Sequence, residues 1–292
     1  MMNYVSAYAD RSTAQRILKT VGRVLLYALL ITFALVLVFP YVWMFLTSFK
    51  HDSEAMSLTI KLLPEKWMFE NYGEIWSVVP FVTGVFNTVK VEVSVIVVGT
   101  FVSALAAFSF AKLRLRHRTF WLLFLMSGMM VPYAALMLPQ YRAFQALHMT
   151  DTLWPLILPG FFGNVSMIFF LVQYMRGIPN ALIEAAKIDG AGYFKIFVSV
   201  MLPTIKTALA TQIVFWFMGI WNDYFAPAIY LTSYEYMTLQ PMIARINSSY
   251  GGGSNLPLVM AGSVLSSIPM FVVYVTCQRF FIESLAISGV KG

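Results

Sequence analysis

The chain has 292 residues, of which 59% are hydrophobic and only 11% charged, with a mean hydropathy of +0.74. An ordinary soluble domain has about 45–50% apolar and about 25% charged residues, so long uncharged runs of this kind take the bilayer as their solvent. The formal net charge of +7 does not indicate nucleic acid, because the basic residues sit beside apolar runs rather than along a polar face.

A spanning helix needs about 20 mostly apolar residues. The first such run is Val24 to about Leu46, after a polar tail carrying Arg11, Arg16, Lys19 and Arg23. That tail and the length of the run do not fit a cleavable signal peptide. A polar stretch with Asp52, Glu54, Glu65, Glu70 and Glu74 follows. The second run covers roughly Val89 to Phe110, with Lys112, Arg114, Arg116 and Arg118 directly after it. The third is about Phe120 to Leu138 and the fourth about Leu153 to Tyr174. A mixed segment leads to the fifth, about Ala208 to Leu231. A Gly- and Ser-rich loop around Asn247 to Asn255 precedes the sixth, about Leu256 to Phe281. The third and fifth runs hold Pro132 and the pair Asn222 and Asp223, so their ends are the least defined.

These runs predict an all-α integral membrane protein with about six spans. The segments are a tail at 1–23, a first helix at 24–49, an outer loop at 50–82, a core of five helices at 83–281 and a tail at 282–292. Lys and Arg concentrate in the tail and in the connections after the second and fourth runs, which places both termini in the cytoplasm. Lys90 and Glu92 are expected to snorkel to the outer interface. Cys277, the single cysteine, excludes an intrachain disulfide and reads as a small buried hydrophobe. His51, His117 and His148 all fall in loops, and no metal centre is expected. In the second run Gly99, Ser103, Ala107 and Ala111 share one helical face. Such a face admits a close neighbour, either in a dimer or pore contact or within the chain.

The segment from Gly177 to Pro203 is the most informative. Pro179 breaks the exit of the fourth span, and Asn180 is a good N-cap. Ala181 to Asp189 favours helix, and Gly190 suits the left-handed stop position. A second helix is expected from about Gly192 to Met201, before Pro203. Glu184 and Lys187 are spaced to pair. From these residues alone, docking on lipid and docking on a protein remain equally open.

Glu184-Ala185-Ala186, then Gly190, then Leu202-Pro203 resembles the EAA loop of ABC import permeases. Arg176-Gly177-Ile178-Pro179 and Lys187-Ile188-Asp189-Gly190-Ala191 resemble the version found in carbohydrate importers of the MalG type. So do Phe39-Pro40-Tyr41-Val42-Trp43, Leu156-Ile157-Leu158-Pro159, Trp221-Asn222-Asp223-Tyr224-Phe225 and Gly289-Val290-Lys291-Gly292. Thr207 departs from the pattern, as does the ending Glu283 to Ser288. The resemblance implies a permease of the bacterial inner membrane, with a MalF-like second permease, two ATP-binding-cassette ATPases and a periplasmic sugar-binding protein as partners. It implies that the loop at 175–206 is the ATPase-coupling element, carried by Glu184, Ala185, Ala186, Lys187, Asp189, Gly190 and Pro203.

The chain has no Gly-x-x-x-x-Gly-Lys-Ser/Thr loop. It is therefore not expected to be an enzyme or to hold a cofactor, with ATP and Mg²⁺ falling to the partner ATPase. Asn222 and Asp223 within an apolar run are candidates for the sugar path, with Trp216, Trp221 and Tyr224 as ring faces. Capping and packing by these five residues is the equally open alternative. An ion-coupled secondary transporter is the rival class and would show more deep charges.

Overall fold

The computed structural model describes residues 2–248 and 255–289. Among them every regular element is a helix. In chain order these are α1 Met2–Thr47, α2 Asp52–Ala55, α3 Asn71–Val78, α4 Phe81–Lys112, α5 Arg118–Gly128, α6 Tyr133–Ala146, α7 Trp154–Phe161 and α8 Val165–Arg176. There follow α9 Ala181–Ile188, α10 Tyr193–Ile196, a π-helical turn Phe197–Met201, α11 Leu202–Thr204, α12 Lys206–Trp221, α13 Phe225–Tyr230, α14 Leu239–Ser248 and α15 Leu256–Gly289. The centre of the expected Gly- and Ser-rich loop and the last three residues lie outside the described residues.

Four stretches are long and apolar enough to cross a membrane: Leu18–Thr47, Phe81–Lys112, Trp154–Arg176 and Leu256–Arg279. Two bent pairs raise the number to six if each is one span. The third expected span is one of these, bent by 87° between α5 and α6. The bend falls where Pro132 lacks an N–H and takes an extended conformation. The other pair joins Tyr193–Thr204 to Lys206–Tyr230 at 79°, and the fifth expected span lies in its second limb. Helix α12 stops at Trp221, where Asn222, Asp223 and Tyr224 separate α12 from α13.

Other boundaries also differ from the sequence reading. Helix α1 runs through the expected tail from Met2, and α4 begins at Phe81, eight residues before the apolar run that predicted it. The fourth span is α7 plus α8, interrupted at Gly163, which has a φ of +91°. Cys277 is half-buried rather than buried. Helix α14 was not expected at all. It carries Leu239, Met242, Ile243 and Ile246 inward, a short amphipathic repeat.

Helix α4 is the central strut, packed against α7, α8, α12 and α14. The stripe of small residues explains this. A Cβ at Gly99 would meet the carbonyl of Gly160 and the ring of Trp216. The Ser103 hydroxyl donates to Gly99 O at 2.6 Å and accepts from Asn164 N at 2.8 Å. Ala107 is fully buried and Ala111 almost so. The stripe is thus spent inside the chain's own bundle. By contrast the described side chains of α1 from Leu18 to Val42 are exposed, and among the described residues its main packing partner is α15.

Candidate functional site

The chain presents three features that bear on function: a protruding short helix at one end of α4, a cavity toward the other end, and a groove between α1, α12 and α15.

The protruding helix is α9. Its first turn follows Pro179, and its end is a hydrogen-bonded stop. Gly190 N donates to Lys187 O at 3.0 Å and Ala191 N to Ala186 O at 2.9 Å, with Gly190 at φ +75°. This pair of bonds is the Schellman arrangement, which requires a left-handed residue between helix and exit. Asn180 does not cap the helix with its side chain, contrary to expectation. Its backbone is already helical, and its Oδ1 accepts from Lys112 Nζ at 2.9 Å. Lys112 also donates to Ile178 O at 2.6 Å, so the last residue of α4 grips the entry to α9.

Only Ile183 of α9 is buried, within the cluster that includes Ala107, Phe108, Leu171 and Ile196. Glu184, Ala185 and Asp189 are exposed, and Ala186 is half-buried. Leu182 is 45% and Ile188 86% exposed. The expected Glu184–Lys187 pair does not form, because Lys187 turns to Tyr193. Its Nζ lies 3.1 Å from the phenol oxygen and 4.6 Å from the ring centroid. Beneath α9 a cleft of 600 Å³ is lined by residues that include Lys112, Arg114, Glu184 and Tyr193.

The helix after α9 starts at Tyr193 as expected but runs on to Thr204 through the π-helical turn. Pro203 has no N–H to return to the preceding turn, so the wider turn just before it accommodates that loss.

The five path candidates do not share one surface. Trp221 is 3% exposed, donates from Nε1 to Ser266 O at 2.9 Å and stacks on Phe217. Trp216 closes over Gly99, and Tyr224 is 49% exposed. Asp223 Oδ1 accepts from Phe225 N at 3.0 Å and Ala226 N at 3.2 Å, capping α13. Asn222 lines the groove of 850 Å³ between α1, α12 and α15, with Gln240, Ser263 and Ser266. Asp223 instead lines a cavity of 310 Å³ between α4, α6, α7 and α13.

That cavity contains groups outside the five path candidates: Tyr133, Gln140, Tyr230 and Thr238. Its wall is pinned by Asp151. The carboxylate Oδ1 accepts from Thr232 N at 2.8 Å, Ser233 N at 2.9 Å and Ser233 Oγ at 3.1 Å. Asp151 N donates to Tyr230 O at 2.8 Å. Burial pushes the Asp151 carboxyl up, but those hydrogen bonds outweigh it and hold the group below the usual carboxylate range.

Glu92 was expected at the interface. It is 4% exposed, and its Oε1 has no hydrogen-bond partner. The early start of α4 puts it three turns inside the helix. Among the described residues no group of His, Cys, Asp and Glu is placed to hold a metal ion.

Residues 99–285 match the family described as binding-protein-dependent transport system inner membrane component. The chain is 30% identical over 262 residues to the arabinooligosaccharides transport system permease protein AraQ of Halalkalibacterium halodurans, covering 89% of this chain and 93% of that one. It is 31% identical over 284 residues to the inner membrane ABC transporter permease protein YcjP of Escherichia coli, covering 94% and 98%. Among solved structures it resembles a bacterial ABC transporter involved in the import of the acidic polysaccharide alginate. That match has a TM-score of 0.79 at 26% identity and covers 89% of this chain and 96% of the other.

Proposed function

The chain belongs to the binding-protein-dependent transport system inner membrane component family, and from that premise we propose that it is a sugar importer's permease subunit driven through α9 by a separate ATPase. A multi-pass permease of the inner membrane performs no chemistry itself. It provides a path and changes which side that path opens to. AraQ, one of the relatives matched, is named for the transport of arabinooligosaccharides, which supports a saccharide as cargo delivered by a binding protein. A second permease, MalF-like in kind, would complete the path, and two ATPase subunits would supply the work.

The observation that carries this reading is the surface of α9. A short helix with one buried residue, a fixed stop at Gly190 and exposed Leu182, Ala185 and Ile188 suits a groove on another protein. Glu184 at its first turn stands free of Lys187 and is available to that groove. Closure of two ATPases would move α9 as a rigid body and tilt the spans attached to it. On this reading α9 and both termini face the cytoplasm, in agreement with the basic residues that follow α4.

The test uses the assembled transporter in proteoliposomes. Gly190→Pro cannot adopt a positive φ and is expected to abolish both uptake and binding-protein-stimulated ATP hydrolysis. Glu184→Lys is expected to do the same by reversing charge at the docking face. Retention of both activities in both variants would remove α9 from coupling. Uptake that survives an ATPase-dead partner but collapses with the ion gradient would identify a secondary transporter instead.

A further inference from the structure

We infer that the cavity between α4, α6, α7 and α13 is a binding subsite for one ring of an uncharged saccharide, and that the cargo of this permease is therefore a neutral sugar rather than a uronate or phosphorylated one. The inference rests on the importer reading and narrows it.

The lining of the cavity defines the chemistry. Its polar groups are the Asp223 carboxylate, the Gln140 carboxamide and the hydroxyls of Thr88, Tyr133, Tyr230 and Thr238, set among proline and aliphatic side chains. Thr88 is committed, donating to Gly84 O at 2.9 Å and accepting from Leu239 N at 2.9 Å. Thr238 Oγ1 is not: it is buried and without a hydrogen bond, while the Tyr230 hydroxyl faces that of Tyr133. Buried polar atoms are nearly always partnered, so this orphan on the cavity wall points to a missing hydrogen-bonding partner. Asp223 spends Oδ1 on two backbone amides, which leaves Oδ2 to accept from such a hydroxyl.

The volume is 310 Å³, at the lower end of ligand pockets of about 300–1,000 Å³. That limits the occupant to a single ring.

Charge decides the class of sugar. No Lys, Arg or His lines the cavity, and none lines the groove between α1, α12 and α15. An acidic sugar brought beside Asp223 would face like charge in a poorly solvated site, with no guanidinium or ammonium of this chain in the cavity lining to receive it. A neutral ring offers donors to the carboxylate and apolar faces to the prolines. The solved structure of similar fold is from an importer of an acidic polysaccharide, so a shared architecture would here carry two different cargoes.

The test is saturation-transfer NMR on the complete purified transporter in nanodiscs, without binding protein. The probes are arabinotriose, chitobiose and maltotriose as neutral ligands and trigalacturonate as the acidic one. Transfer to at least one neutral probe and none to trigalacturonate is expected. Tyr230→Phe and Thr238→Val remove a hydroxyl with little change of shape. Each is expected to weaken the neutral probe at least fivefold while the complex elutes as before. Transfer to trigalacturonate, or to none of the probes, overturns the neutral assignment. Neutral binding untouched by both variants overturns the cavity as its site. Failure of the importer reading is read separately, as uptake into proteoliposomes that does not require ATP.

Discussion

Individual side chains in this protein act mostly by holding backbone in place, and Asp151 is the clearest case. It adopts a positive φ of 55°, which aspartate tolerates better than most residues, and so brings its carboxylate onto the amides of Thr232 and Ser233. Because these bonds hold its pKa below the ordinary carboxylate value, they favour the folded state wherever the group is ionised. That stability is present above about pH 4, the unfolded value, and is lost as pH falls through the lowered folded value. Asp151→Asn is therefore expected to lower the melting temperature at pH 7, with the gap to wild type narrowing as the pH is brought below 4. A gap independent of pH would mean that the carboxylate charge contributes nothing. The loop residues His148 and Asp151 could be placed off any helix from the sequence. The latch could not, since its partners lie about eighty positions away and only the tertiary path of α13 brings them near.

At the scale of helices, apolar runs mark where the long helices lie but not where they bend. The run from Phe120 to Leu138 reads as continuous because composition is blind to direction. Pro132 marks the place of the 87° turn, since it cannot continue the hydrogen bonding of α5. Helix α14 escaped notice because ten residues fall short of a span, although Leu239, Met242, Ile243 and Ile246 already carry the helical period. The EAA segment was the most legible, because Gly190 and Pro179 punctuate it by covalent necessity. What it concealed was the grip of Lys112, which a residue-by-residue reading assigned to the positive flank of a span. Lys112→Met is expected to leave insertion and assembly intact while reducing binding-protein-stimulated ATPase and uptake together. Lys112→Arg should restore part of both, since it can still reach Ile178 O. Uptake measured in parallel with co-purification of the ATPase checks this, and wild-type uptake in Lys112→Met would show the contact to be passive.

The whole molecule is incomplete as a single chain. Helix α1 shows apolar side chains on every side from Leu18 to Val42, and α9 leaves Ile188 almost bare. Lipid can cover much of α1 and a second permease the rest. Coverage of both faces by partners should stabilise the fold by linkage. The chain expressed alone and extracted in detergent is expected to melt several degrees below the same chain within its complex, as read by thermal-shift fluorescence. Equal melting temperatures would mean that the partners contribute nothing to its stability. Within the molecule, α4 joins the two ends that matter. It runs 32 residues, about 48 Å at the helical rise, and contains no proline. At one tip Lys112 clasps the entry to α9. At the other, Asn87 donates to the carbonyls of Glu235 and Met237 at 2.8 and 3.1 Å, beside the wall that holds Thr238. An unjointed rod fastened at both tips has no backlash, so any displacement imposed on one tip arrives at the other in the same stroke.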